Sequence, residues 1–417
     1  MIVIAGAGPA GIAAALTASE RGAEVTVIDD NKSPGGQIWR GGYEFRRPQI
    51  NFLGGARIVN GDAAAQTLLV EAEARAFEIR YDKLILATGA RELFLPFPGW
   101  TLPGIAGVGG LQALAKGGMP LRRKRIAVAG SGPLLLAGAA YFRKAGADVI
   151  LIAEQASPQS LARFASELIR HPAKLVQAAQ LQRQLLGVPY RLGCHVERAE
   201  GHNRVERLHL RTGSRTFMEE VDLAAIAWGL HPNTELAELM NCAIADAVVE
   251  TNEFQQTSQP HIYCAGEATG IGGVDLATLE GELAGCAAAG DETAARQRFP
   301  AREKSRRFAQ ALNDAFALGP ELRALPRPDT IVCRCEDIRL SKLFTAKSFR
   351  EAKLHTRCGM GPCQGRICGP AAQFLFGWDK GSIRPPLLPS RAGTLICSSA
   401  NYNGVIRKHA CTESDRA

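Results

Sequence analysis

The chain lacks several features that assign proteins to common classes. No stretch of its 417 residues reaches about 18 uninterrupted apolar residues, so the sequence predicts no membrane span. The apolar start, Met1–Ala5, has no basic leader and runs directly into a glycine motif, so we expect no signal peptide. We therefore expect a cytoplasmic protein, with any contact to the inner face of the membrane made through partner proteins.

The chain also lacks an extended basic surface of the kind that nucleic-acid-binding proteins carry. Its net charge is +8, but the basic residues are dispersed along the sequence. The densest run, Arg122–Arg125, directly precedes an apolar strand, and we interpret it as a solvated connector. An anionic cofactor or an acidic protein partner is the alternative, and we expect no nucleic-acid partner.

No Cys-x-x-Cys pair occurs in residues 109–231, which excludes dithiol exchange of the thioredoxin type there. Without an export signal, a reducing compartment is expected, and metal binding explains clustered cysteines better than disulfides do. Six of the eleven cysteines are scattered singly: Cys194, Cys242, Cys264, Cys286, Cys397 and Cys411.

What the chain does contain, first, is a complete nucleotide-binding pattern at its start. Ile2–Ala5 is predicted to be a buried strand, and the glycine turn Gly6–Gly11 follows it. Ile12–Arg21 is predicted to be a helix and Glu24–Ile28 a second strand, which ends at Asp29. The order strand, glycine turn, helix, strand and acid is typical of a dinucleotide site.

Each residue of this pattern has a physical role. Gly6 makes the tight turn, Gly8 lets the backbone approach a pyrophosphate, and Gly11 lets helix and strand pack closely. The helix N-terminus offers N–H groups to the phosphates, and the acid accepts ribose hydroxyl protons. The candidate residues are Gly6, Gly8, Pro9, Ala10, Gly11, Asp29 and Asp30.

Three later segments, Pro34–Gln37, Leu84–Ala90 and His261–Glu267, occur in an order that resembles the flavoproteins of the thioredoxin reductase and glutathione reductase group. In that group these segments surround FAD, so the resemblance implies FAD here. The Gly-rich, Ala-rich stretch Gly270–Ala289 is predicted to be a helix close to the flavin. The resemblance adds the candidate residues Gly36, Gln37, Thr88, Gly89, Gly266 and Glu267.

A second glycine motif begins after the predicted strand at Arg125. In the resembling reductases the corresponding domain binds NAD(P)H. Here Leu135 stands where the third glycine is expected, and no basic cluster follows Glu154 to hold a 2′-phosphate. The sequence does not decide whether this motif binds NAD(P), another adenine nucleotide or no ligand. Its candidate residues are Gly130, Gly132, Pro133 and Glu154.

The remaining five cysteines lie close together near the C-terminus. Iron–sulfur clusters take four cysteine thiolates, whereas structural zinc sites usually have two to four residues within each cysteine pair. The one-residue spacer of the first pair therefore favours a [2Fe–2S] cluster, with zinc and a site without metal as the alternatives. The predicted ligands are Cys333, Cys335, Cys358 and Cys363, with Cys368 as the alternative fourth ligand because its spacing from Cys363 repeats that of the second pair.

The pattern of these cysteines resembles the bacterioferritin-associated ferredoxin-like [2Fe–2S] domain. Taken as a whole, the chain resembles the FAD-containing alpha subunits of heteromeric amino-acid dehydrogenases. The segments that carry this resemblance are Gly6–Gly11, Pro34–Gln37, Val128–Leu136, Cys333–Glu336 and Thr356–Cys368. These include opine oxidase, hydrogen cyanide synthase and the D-hydroxyproline and dye-linked proline dehydrogenases.

The resemblance implies an α/β fold with two Rossmann-like dinucleotide-binding domains and a small C-terminal [2Fe–2S] domain. The expected parts are a discontinuous FAD domain (1–108 and 232–300), a second Rossmann-like domain (109–231), a linker (301–328), the [2Fe–2S] domain (329–380) and a tail (381–417).

The implied function is that of an electron-transferring subunit of an amino-acid, imino-acid or opine dehydrogenase. An amino-acid-oxidase-like beta subunit oxidises the C–N bond in such complexes, and a small ferredoxin-like subunit is a further expected partner. We identify no catalytic residues in this chain. The alternatives are a self-contained NAD(P)H-dependent reductase that serves an electron carrier, and a scaffold whose cofactors only maintain an assembly.

Overall fold

The structure is a computed structural model that describes residues 1–40, 43–45, 47–73, 75–379, 381 and 383–396. Most of the predicted tail, including Cys397 and Cys411, lies outside the described residues. The described residues divide into two units. The first contains Met1–Arg91, Pro232–Ala309 and the described residues after 382, and the second contains Glu92–His231 and Gln310–Gly381. The predicted five-part division is finer than these units and stays a prediction.

A five-stranded parallel sheet forms the centre of the first unit. Ile2–Ala5 and Val25–Asp29 are buried along their whole length, as expected for a parallel sheet that is covered on both faces. In spatial order the strands are Ile262–Cys264, Lys83–Leu86, Ile2–Ala5, Val25–Asp29 and Ile50–Gly54.

Two helices of the first unit, Pro9–Ser19 and Gly273–Ala288, pack together through small residues. A Cβ atom on Gly281 would lie 2.1 Å from the carbonyl oxygen of Ala10, a distance no real side chain tolerates. Glycine at 281 is therefore required for this close contact. The predicted helix over residues 270–289 is confirmed.

The remaining elements of the first unit lie around this centre. An antiparallel sheet contains Arg57–Asp62, Thr67–Glu71 and Ala76–Arg80, and a short hairpin contains Ile244–Ala245 and Val248–Val249. The helices are Glu235–Leu239, Glu292–Arg296 and Ala392–Ile396, with a 3-10 turn at Glu267–Thr269. The chain passes from one unit to the other within Ala90–Glu92, Leu230–Pro232 and the helix Phe299–Ala315, and again after Gly381.

The second unit contains a second five-stranded parallel sheet. Its strands, in spatial order, are Tyr190–Leu192, Asp148–Glu154, Arg125–Gly130, Leu223–Ala227 and Ile105–Gly107. An antiparallel sheet contains Cys194–Glu200, Arg207–Thr212 and Arg215–Glu220. The helices are Val108–Lys116, Leu134–Lys144, Pro158–Leu168 and Pro172–Gln184, with a 3-10 turn at Pro320–Ala324.

The cysteine-rich segment belongs to the second unit and has an apolar cluster of its own around Leu343, Phe349 and Ala372. The side chain of Ser348 accepts the N–H of Glu351 at 3.1 Å and so caps the helix that lies between the cysteine pairs. The elements are the strands Ile331–Cys333 and Ile338–Arg339, the 3-10 turn Leu340–Leu343 and the helices Phe349–Thr356 and Cys368–Phe376.

Each unit thus carries a parallel sheet with a glycine turn at the carboxyl end of a central strand, and the predicted α/β fold with two Rossmann-like units is confirmed. None of the described helices is long and apolar enough to cross a membrane.

Candidate cofactor sites

The first glycine motif has the geometry that its sequence predicts. A Cβ atom on Gly6 would lie 2.2 Å from the carbonyl oxygen of Ala87, and one on Gly11 would lie 1.9 Å from the carbonyl oxygen of Gly6. A Cβ atom on Gly8, in contrast, would meet no atom within 4 Å. The open space at Gly8 lies directly before the N-terminus of helix Pro9–Ser19, where a phosphate group binds favourably.

The segment Pro34–Gln37 lies against this turn. The N–H of Gly35 donates to the carbonyl oxygen of Ala7 at 2.8 Å. A Cβ atom on Gly36 would lie 3.0 Å from the Cα atom of Gly8. Gln37 is exposed, and its side-chain oxygen accepts from Arg40 at 3.1 Å.

The two predicted acids differ in their surroundings. Asp29 is buried, and its Oδ2 accepts the N–H of Ala7 at 2.6 Å while its Oδ1 accepts the N–H of Asn31 at 2.8 Å. Asp29 therefore braces the glycine turn, and its Oδ2 still has a second lone pair for a ribose hydroxyl. Asp30 is exposed beside it. Ribose binding by either acid stays a prediction.

The turn at Thr88 and Gly89 is held by Asn233, to which the sequence assigned no role. The Thr88 hydroxyl donates to the Asn233 carbonyl oxygen at 2.6 Å, and the Asn233 amide donates to the Thr88 carbonyl oxygen at 2.9 Å. Arg91 donates to the Asn233 side-chain oxygen at 2.7 Å. A Cβ atom on Gly89 would meet no atom within 4 Å, so the turn faces open space.

The turn at Gly266 and Glu267 carries a carboxylate oxygen without a partner. Glu267 Oε1 accepts the N–H of Gly273 at 2.9 Å, whereas Oε2 is buried and has no hydrogen-bond partner among the described residues. Burial raises the pKa of Glu267. A buried acceptor without a donor is unfavourable, so this oxygen fits a site where a hydroxyl group of a bound cofactor donates to it.

The second glycine motif differs from the first in its acid. Glu154 is fully buried: its Oε2 accepts the N–H of Gly132 at 2.9 Å, and its Oε1 accepts the N–H of Ala156 at 2.8 Å. Burial raises the pKa of Glu154, and these two hydrogen bonds oppose that shift. With no accessible surface, its carboxylate cannot contact a ribose in this conformation.

Residues 316–319, which we call the capping segment, lie on this second motif. The Ser131 hydroxyl donates to the Phe316 carbonyl oxygen at 2.9 Å. The Gln155 amide donates to the Ala317 carbonyl oxygen at 2.9 Å, and the N–H of Gly319 donates back to the Gln155 side-chain oxygen at 3.1 Å. The chain itself thus covers the carboxyl ends of two strands, where open α/β sheets bind ligands.

The capping segment closes only part of the second motif. A Cβ atom on Gly132 would meet no atom within 4 Å, so the turn itself still faces open space. Leu135 is fully buried in an apolar cluster with Val128 and Phe142. The residue that replaces the third glycine therefore serves the core of the second unit.

Three cysteine sulfur atoms come together in the cysteine-rich segment. The Sγ atoms of Cys333, Cys358 and Cys368 lie within 4.8 Å of one another, and all three residues are buried. Hydrogen bonds from the other two thiols lower the pKa of Cys333 to about 2, and the same bonds raise the pKa of Cys368. The N–H of Gly359 also donates to the Cys333 sulfur at 3.4 Å.

The structure therefore places Cys368, the alternative ligand, in the buried trio. Cys363 is half-buried and interacts with the exposed Cys335. A Cβ atom on Gly361 would lie 2.3 Å from the Cβ atom of Cys335, so a glycine is needed where the two cysteine pairs approach each other. The donor set is composed of sulfur, which suits an iron–sulfur cluster or zinc.

The two units match known proteins in sequence and in fold. Residues 1–288 match the family model of pyridine nucleotide-disulphide oxidoreductases. Hydrogen cyanide synthase subunit HcnB of Pseudomonas aeruginosa is 30% identical, over 88% of this chain and 90% of its own. An opine oxidase subunit of Rhizobium meliloti is 31% identical, over 94% and 97% respectively.

Solved structures show the same fold. The structure of L-proline dehydrogenase from P. horikoshii has a TM-score of 0.65 at 20% identity and covers 94% of this chain and 78% of its own. That of T. acidophilum thioredoxin reductase has a TM-score of 0.54 at 17% identity and covers 70% and 98%.

Proposed function

The chain belongs to the pyridine nucleotide-disulphide oxidoreductase family and is related over most of its length to HcnB and to an opine oxidase subunit; from this premise we propose that it is the electron-transferring FAD and [2Fe–2S] subunit of a heteromeric amino-acid, imino-acid or opine dehydrogenase. At the coarser level it is a flavin-dependent oxidoreductase. The relatives are themselves named as subunits, which supports partner subunits for this chain.

FAD fits the first unit. Its phosphates would lie at Gly8 and the helix that follows, and a hydroxyl of its sugar chain would donate to Glu267. The [2Fe–2S] cluster would be held by the buried cysteine trio and a fourth thiolate. When bound, FAD supplies two-electron chemistry that it can pass on in single steps, and the cluster carries one electron at a time.

The observation that carries the proposal is the partial closure of the second motif. Glu154 is fully buried and the capping segment bonds to Ser131 and Gln155, so the acid of this motif is not accessible to the ribose of a second nucleotide. In this proposal the chain does not draw electrons from NAD(P)H. We propose that an amino-acid-oxidase-like beta subunit supplies them and that they leave toward a quinone or another acceptor. A small ferredoxin-like subunit is a further partner in this proposal.

Adding NADH or NADPH to the isolated, FAD-loaded chain without oxygen is expected to leave the flavin oxidised. The measurement is the flavin absorbance at roughly 450 nm over several minutes, with dithionite as the control that shows the flavin can be reduced. Rapid bleaching by either nucleotide would overturn the proposal and support the self-contained reductase. A flavin that stays oxidised when substrate is added to the whole complex would support the scaffold.

A further inference from the structure

Helix Gly273–Ala288 carries a buried carboxylate that lies outside every predicted site. Glu280 is only 2% exposed, although most of its neighbours on the helix are alanine, glycine and leucine. A buried ion is tolerated only when it is paired and hydrogen-bonded. The groups that satisfy Glu280 therefore show which parts of the molecule it connects.

One oxygen of Glu280 holds the Gly266 turn. Its Oε2 accepts the N–H of Gly266 at 3.1 Å and lies 2.8 Å from the Thr269 hydroxyl. Gly266 has φ +80° and ψ −153°, a conformation that essentially only glycine adopts. The carboxylate thus stabilises a backbone conformation that has little intrinsic stability of its own.

The other oxygen of Glu280 is held by Arg306. Its Oε1 accepts from Arg306 Nη2 at 2.8 Å and from Nε at 3.2 Å. Arg306 Nη2 also donates to the Gln255 side-chain oxygen at 3.3 Å, and the Gln255 amide donates to the carbonyl oxygen of Cys264 at 2.9 Å. Cys264 ends the strand that leads into the turn, so the network holds the segment on both sides.

Two features connect this network to the first glycine motif. Glu267, with its partnerless buried oxygen, directly follows Gly266. Gly281, next to Glu280, allows the helix to touch the Ala10 carbonyl on the phosphate-facing helix. A movement of Glu280 would therefore change the distance between Glu267 and the phosphate position at Gly8.

We propose that Glu280, held by Arg306, is a positioning residue that sets the Gly266–Thr269 turn and thereby directs Glu267 toward the sugar–phosphate chain of the flavin. It acts through the turn and does not touch the cofactor. The inference rests on the proposed function, because it takes FAD as the ligand of the first unit.

The experiment titrates apoprotein with FAD and measures Kd from flavin fluorescence. Glu280→Ala is expected to weaken FAD binding about 30-fold and Arg306→Ala about tenfold, since each removes charge-assisted hydrogen bonds that order the site. Glu280→Gln keeps an oxygen that accepts from Gly266 and is expected to restore binding to within about threefold of wild type. Glu282→Ala is the matched control: Glu282 lies on the same helix and pairs with Arg298 at 2.8 Å, but makes no bond to the turn.

Visible circular dichroism at saturating FAD adds a spectroscopic test. The flavin signal is expected to change in Glu280→Ala and to match wild type in Glu282→Ala. A wild-type Kd and flavin signal in Glu280→Ala would overturn the inference. If Glu280→Ala does not fold, Arg306→Ala decides by the same measurements, because the Arg306 side chain is 38% exposed and its removal leaves no large cavity. If wild-type protein itself does not bind FAD, the proposed function fails and the inference fails with it. If wild-type protein binds FAD and Glu280→Ala binds it equally well, the inference alone fails.

Discussion

Replacing Cys333 with serine is expected to remove about nine-tenths of the iron and acid-labile sulfide that the chain binds. The Cys333 sulfur contacts both other members of the buried trio and accepts the N–H of Gly359, so it is central to the donor set. Serine replaces a soft thiolate with a hard, weakly acidic hydroxyl, which is a poor ligand for the iron of an iron–sulfur cluster. The measurement is iron and sulfide per chain after anaerobic reconstitution, with the visible spectrum recorded in parallel.

The same panel separates the two alternatives for the fourth ligand. Because the structure places Cys368 in the trio, we expect Cys368→Ser to lose iron as fully as Cys333→Ser. Cys363 lies outside the trio, so Cys363→Ser is expected to keep most of its iron. Cys286→Ser, at a buried single cysteine of the first unit, is the control for the loss of a thiol. Full iron in Cys368→Ser would contradict this ligand set. Stoichiometric zinc in wild-type protein would show that the cysteines bind zinc and not an iron–sulfur cluster.

Alanine at Gly11 and alanine at Gly8 are expected to have large and different effects. A Cβ atom at Gly11 would overlap the Gly6 carbonyl oxygen at 1.9 Å, so Gly11→Ala must separate helix and strand and is expected to lower the free energy of unfolding by about 2–3 kcal/mol. The affinity of Gly11→Ala for FAD is expected to fall as well, because the turn that faces the phosphates moves.

Gly8→Ala tests the cofactor separately from the fold. Gly8 has φ −77° and ψ −174°, which any residue adopts, and its Cβ atom would point into open space. The apoprotein is therefore expected to keep its Tm to within about 2 °C. The same methyl group fills the expected phosphate position, so the Kd for FAD is expected to rise about 30-fold or more.

Thermal unfolding of both apoproteins and FAD titration of both variants check this pair of predictions. Unchanged FAD affinity in Gly8→Ala would show that the phosphates lie elsewhere. A Gly11→Ala protein as stable as wild type would show that the contact between Gly11 and Gly6 is not close in solution. If Gly11→Ala yields no soluble protein, Gly8→Ala alone tests the position of the cofactor.

The features that the sequence predicted well are those that spacing encodes locally. The first glycine motif is an example, because the turn at Gly6, the packing at Gly11 and the acid at Asp29 all depend on short distances along one strand, helix and strand. The helix Gly273–Ala288 was likewise predictable, because the Gly-rich and Ala-rich stretch indicates a helix that packs closely against its neighbours.

The features that the sequence did not predict depend on contacts between distant segments. Glu280 and Asn233 hold turns that are predictable, but nothing in their neighbouring residues shows which backbone groups they meet. The capping segment is a stronger case. Phe316 and Ala317 bind the second motif through carbonyl oxygens, which every residue possesses, so no residue type marks the contact.

The fourth cluster ligand remained open for a different reason. Cys358, Cys363 and Cys368 are equally spaced. The resemblance to a known [2Fe–2S] domain favoured Cys358 with Cys363, but the spacing alone does not distinguish Cys363 from Cys368. The helix that begins at Cys368 adds the missing observation, because its first residue brings a sulfur close to those of Cys333 and Cys358; ligation by Cys368 stays a prediction.

The capping segment has a metabolic consequence. A flavoprotein with an open nicotinamide site runs at a rate that follows the ratio of reduced to oxidised nicotinamide in the cell. If residues 316–319 keep the second motif closed to nicotinamide, as the proposed function requires, this chain would receive no such input. Under the proposed function, its flux would be set by how much amino acid its partner oxidises and by how quickly the final acceptor is regenerated. Catabolism of that nitrogen source would then continue whether the nicotinamide pool is reduced or oxidised.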